Sequence, residues 1–171
     1  MPALRWHAVS EELALSWAEY AMGAHVGYLR RVVSIAKGYR TLDAPTSKTD
    51  DDVEGAVAEL VVAKALRTYW DGSVDAIHSP DVDGWIHVRH SLRADAHLIV
   101  KPRDLERGYG GDAFVLVTGA RGTYTIHGWI LGHDAAKPEW TRNPNGYGAS
   151  WFVPASALHP IAQLRTTKVA A

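Results

Sequence analysis

The stretch Asp81 to Asp104, DVDGWIHVRHSLRADAHLIVKPRD, holds the densest set of side chains able to do chemistry. It reads as two short strands joined by a polar turn. With the first strand placed from Asp83 to His90, side chains alternate between its faces. Asp83, Trp85, His87 and Arg89 then share one face, while Ile86 and Val88 point to the other. The apolar pair enters a core, and Asp83, His87 and Arg89 converge on a polar surface. A second carboxylate comes from the helical stretch GAVAELVVAKAL, where Glu59 sits in an apolar stripe. Its charge is costly there unless paired, hydrogen-bonded or metal-bound; the other reading is an edge carboxylate facing solvent. Groups of this kind, brought together, hold a divalent ion. Mg²⁺ prefers oxygen ligands and keeps several waters, and it activates water and clamps a phosphate during hydrolysis. A cation beside it stabilises developing charge.

The layout resembles the PD-(D/E)XK nuclease superfamily, in the small form found in phages and actinobacteria. That family carries a glutamate on an early helix, an acid before a strand, and an acid-x-lysine or acid-x-arginine within the strand. The matching positions are Glu59, Asp83 in DVDG, and His87-Val88-Arg89 in IHVRH. The similarity runs on through LIVKPRD, FVLVTG, YTIHGWILGHDA and WFVPASALHP, covering about Asp51 to Pro160. It implies an α+β fold with a central mixed sheet flanked by helices, a restriction-endonuclease-like core. It also implies metal-dependent hydrolysis of DNA phosphodiesters, with Glu59, Asp83 and His87 on Mg²⁺ or Mn²⁺ and Arg89 facing phosphate. His87 departs from the pattern, because it stands where the family has a carboxylate. Neutral histidine ligates metals, and suits Mn²⁺ or later transition metals better than Mg²⁺. Arg89 replaces lysine in charge but cannot act as a base. A metal-weakened, catalytically inactive relative that binds nucleic acid or a protein partner is therefore the alternative. An unrelated α+β binding protein with a solvated Asp/His strand is the third reading.

Other acids compete for these roles. Of Asp81 and Asp83, one is the ligand and the other a turn residue. Asp104 ends the second strand or caps the loop after it, and Asp95 is a turn residue. Asp81-x-Asp83-Gly84 lacks the twelfth-position acid of a calcium loop, where Leu92 stands. Gly108 to Gly111 lacks the context of a phosphate loop. His87 and His90 point to opposite faces of a strand, and His127 and His133 fit a polar strand face.

The elements that must position these groups follow in order. Ser10-Glu11-Glu12 is a helix start, and Leu13, Trp17, Ala21, Ala24 and Tyr28 continue at helical spacing to a cap near Gly38. Gly23 and Gly27 mark a break or a close helix contact. A second helix begins in Asp50-Asp51-Asp52, with Asp51 and Glu54 as a capping box, and ends before Asp71-Gly72. Strands are expected at 74–78, 83–90, 97–101, 114–118, 123–130 and 151–153, those at 114–118 and 123–130 paired across a turn at Gly119 to Gly122, with an exposed loop at 137–150 and a frayed tail after Leu164.

Composition bounds the answer. A chain of 171 residues fits one domain and can bury roughly 70% of its unfolded surface. No cysteine is present, so there is no disulfide framework and no thiolate zinc site. No apolar run approaches the roughly 18 to 20 residues of a membrane span. The N-terminus lacks a signal-peptide pattern, so a cytoplasmic location is expected, the host's if a phage encodes the chain. The net charge of -1 shows no overall basic character; the basic residues are scattered, Arg30 with Arg31, Arg89, Arg93, Lys101 and Arg103, but could still gather into a local patch, as a protein gripping a phosphate backbone needs.

Overall fold

A computed structural model describes residues 10–38, 48–76, 78–144, 146 and 148–167. The chain is mixed α and β. The first described element is not a helix but a strand, β1 (Glu11–Ala14). It pairs antiparallel with the Thr123–Ile126 backbone, and this edge pairing outweighs the local cap signal of Ser10. Helix α1 (Trp17–Ala36) begins instead at Ser16, whose hydroxyl and Glu19 form a reciprocal capping box. Helix α2 (Lys48–Leu66) follows. It ends at Arg67 in the left-handed region, φ 55°, so Thr68 to Trp70 lie beyond it.

The expected strand at 74–78 is absent among its described residues, which bend without pairing, and Ile77 lies outside the described set. β2 (Ile86–Ser91) is shorter than the expected strand, because Asp83 and Gly84 adopt φ of 60° and 78° and make a turn. β3 (Leu98–Val100) and the one-turn helix α3 (Pro102–Glu106) come next. β4 (Ala113–Ala120) and β5 (Thr123–Leu131) form the expected hairpin, with a bulge after Leu116. The short helix α4 (Gly132–Ala135), β6 (Thr141–Arg142) and β7 (Ser150–Val153) follow. The described residues end in α5 (Ile161–Thr167), which takes in the first three positions of the tail expected to fray; the rest of that tail lies outside the described residues. Arg165 holds α5, donating to the Ala65 carbonyl at 2.6 Å and to Glu11 at 2.9 Å.

Two sheets result. The first has the order β1-β5-β4-β2, with β2 parallel to β4 and the other pairs antiparallel. The second has the order β3-β7-β6. β2 and β3 were expected to pair as a hairpin. They instead fall at the edges of different sheets, because β3 pairs with β7.

Alternation along β4 builds both cores. Ala113, Val115 and Val117 face α2, where they meet Val57, Val61 and Ile86. Phe114 and Leu116 face the second sheet and meet Leu98, Val100 and Val153. The result is a layer of helices, a central mixed sheet, and a small sheet. No helix among the described residues is long and apolar enough to cross a membrane.

Candidate functional site

The open edges of the two sheets, β2 and β3, border a cleft of about 720 Å³. Its lining includes His87 and Arg89 of β2, Ile99 of β3, Arg103 of α3, and Arg107 just after it. The alternation expected for Ile86 to Arg89 holds. Ile86 and Val88 pack toward α2, and His87 and Arg89 toward the cleft. Trp85 departs from it, packing against the helix-side core because the strand has not yet begun there.

His87 is 5% exposed. Its ring lies 4.7 Å from Phe114 in a stack and 4.5 Å from Tyr109. Nε2 is 3.0 Å from an Asp112 oxygen. Burial holds its pKa below the usual histidine range, against the upward pull of Asp112. Arg89 donates to Asp104 at 3.2 Å and lies 5.1 Å above the Phe114 ring. Asp104 is buried and also accepts the Lys101 amide at 2.9 Å, so it anchors α3 as well as Arg89.

Glu59 is 6% exposed and faces neither solvent nor the cleft. Arg30 of α1 binds both its oxygens, at 2.5 and 2.8 Å, and Trp70 Nε1 donates at 3.2 Å. Arg30 also donates to the Ser73 carbonyl. The buried charge is thus satisfied by an ion pair and an indole N–H. Glu54, expected in a capping box, is buried instead. It accepts from Tyr20, from Tyr124 and from the Arg121 amide, tying α1 and the β4–β5 turn to α2.

Of the two acids at 81 and 83, the structure separates the roles. Asp83 sits in the turn, takes a 3.4 Å contact from the Thr68 hydroxyl, and lines a separate recess. Asp81 borders the cleft and accepts the Val88 amide at 2.7 Å, satisfying one N–H on the open edge of β2. Burial, and then the negative charge of Glu59, push its pKa up to about 7.

The expected ion is poorly served by this arrangement. Glu59 spends both oxygens on protein donors, His87 is held by Asp112, and Asp83 lies apart. Among the described residues no group of three or more His, Asp or Glu side chains is placed to hold a metal ion. The residues as arranged therefore do not fit Mg²⁺ or Mn²⁺ coordinated by Glu59, Asp83 and His87.

What the cleft does gather is positive charge. Five Lys or Arg residues line it (Arg89, Arg93, Lys101, Arg103, Arg107) against three acids, Asp81, Asp95 and Asp104. Arg93 is paired with Asp95 at 2.9 Å, and Arg103 and Arg107 are exposed at the rim. Arg107 and Asp112 were not singled out as site residues from the sequence, and Arg30, read as one of the scattered cations, joins Glu59 instead of the cleft. Arg107 could have been, as the next cation after Lys101 and Arg103; Asp112 and Arg30 meet their partners only through the fold. The chain matches no family model, no curated protein and no solved structure.

Proposed function

We propose that this chain is a nuclease-fold protein that binds DNA by its phosphate backbone in the cleft between β2 and β3, without hydrolysing it through Glu59, Asp83 and His87. The observation that carries the reading is the excess of cations in one cleft, five Lys or Arg against three acids, in a chain whose net charge is -1. Backbone binding needs this local concentration of positive charge and not an overall basic protein. Asp81 adds less than a full negative charge near neutral pH, since its pKa is pushed up to about 7. Arg89 is preorganised by Asp104 and the Phe114 ring, and Arg103 and Arg107 stand exposed beside it. The parallel β2–β4 pair, with Glu59 on a helix packed behind it, supports the kinship of the core to restriction-endonuclease-like folds.

The test is fluorescence anisotropy with labelled single- and double-stranded oligonucleotides in EDTA. Arg103→Glu and Arg107→Glu should each weaken binding at least about tenfold, roughly 1.4 kcal/mol. Arg142→Glu, outside the cleft, should not. Equal affinity for all four proteins would overturn the assignment. The same DNA incubated with Mg²⁺ or Mn²⁺ should stay intact. Cutting that Glu59→Gln abolishes would replace binding with metal-dependent hydrolysis.

A further inference from the structure

Helix α1 presents its apolar stripe to solvent. Trp17 is 81% exposed, Met22 59%, Tyr28 55%, Val32 43% and Ile35 63%. At 3.6 residues per turn, Trp17, Tyr28, Val32 and Ile35 fall within a narrow arc along a helix about 30 Å long. The buried face of α1 is made instead by Gly23 and Gly27, packed onto α2. A helix usually turns its apolar stripe to the core, and an exposed apolar patch of more than a few hundred Å² marks an interaction surface.

We infer that α1 is a homodimer interface in which two copies pack antiparallel about a two-fold axis near the middle of the helix. Two features of the helix select a second copy of this chain. The first is self-complementarity. An antiparallel pairing centred between Val26 and Gly27 sets Trp17 opposite Ala36, Ile35 opposite Ala18, and Val32 opposite Ala21. Trp17, Ile35 and Val32 each meet an exposed alanine, Tyr28 meets His25, and Met22, off this arc, falls opposite Arg31. This is the residue-i-to-j, j-to-i pattern of an isologous contact, with large and small side chains interleaved as helix packing requires. The second is size. Taken at their exposed fractions, Trp17, Tyr28, Val32 and Ile35 offer on the order of 400–500 Å² per copy, the size of a weak, concentration-dependent interface beside the roughly 800 Å² per partner of a standard one. No Lys, Arg, Asp or Glu lies among the four pairs on the arc, and Arg31 stands at its margin, where its charge keeps access to water.

Sedimentation velocity over a range of micromolar concentrations tests this on the full chain. The wild type should sediment as a dimer. Ala21→Glu and Val32→Lys, each at an exposed position, should each give monomer with unchanged far-UV circular dichroism. The double variant should dimerise again, because the two new charges face each other only across the antiparallel interface. A wild type that is monomeric at all concentrations would overturn the inference. So would single variants that remain dimeric, or a double variant that stays monomeric.

Discussion

Asp81 accepts the Val88 amide of β2 at 2.7 Å and feels the charges of the buried Glu59–Arg30 pair. Its ordinary carboxyl pKa, about 4 in an unfolded chain, is pushed up to about 7 by burial and by Glu59. The folded protein then holds this proton more tightly than the unfolded chain. Asp81 therefore contributes stability that is complete below about pH 4 and is lost as the pH rises to about 7. His87 and His127 act in the opposite direction. Burial holds both below the usual histidine range, so they favour the folded state as pH rises toward about 6.5. The difference between wild type and Asp81→Asn isolates the carboxyl. In urea denaturation, Asp81→Asn should gain stability relative to wild type between pH 4 and 7, and a gap that does not change with pH would contradict this. The sequence already marked Glu59 as a charge in need of a partner, since it stands in an apolar stripe. It could not name Arg30, because 29 residues separate the two and only the packing of α1 on α2 joins them. Nor could it choose between Asp81 and Asp83, which differ by a backbone turn at φ 60°.

At the scale of elements, the α1–α2 contact depends on two missing side chains. A Cβ at Gly27 would stand 2.5 Å from the Asp52 carbonyl oxygen and 2.5 Å from the Val53 Cα, both backbone atoms. At Gly23 the nearest atoms are a Val57 methyl at 2.9 Å and the Val57 Cα at 3.1 Å, a less severe approach than at Gly27. Gly27→Ala should therefore destabilise the protein by about 1–3 kcal/mol despite alanine's better helix propensity. Gly23→Ala should cost less. Chemical denaturation of both variants checks the order, and a stabilised Gly27→Ala would contradict the packing. The glycine pair was legible as a possible close approach. The direction of the apolar stripe beside it was not, because periodicity finds a stripe without saying what covers it. The start of α1 was misplaced for a similar reason. Ser10-Glu11-Glu12 and Ser16-x-x-Glu19 both resemble caps, and the pairing of Glu11–Ala14 with β5 decides between them.

For the whole molecule, the central claim is that two sheet edges form a cationic cleft for a phosphate backbone. Alternation along β2 was readable from Ile86 to Arg89, and so was the hairpin of β4 and β5. The cleft was not, because reading β2 and β3 as one hairpin closes the space that their membership of different sheets opens. The scattered cations between Arg89 and Arg107 become a patch only in that arrangement. The most direct test is the salt dependence of DNA affinity. Each phosphate contact contributes a slope of roughly -0.9 for duplex DNA in log K against log salt. Wild type should show a slope of several units, and Arg103→Gln with Arg107→Gln together should reduce it by about 2. A slope unchanged by both substitutions, or no binding at low salt, would contradict the account.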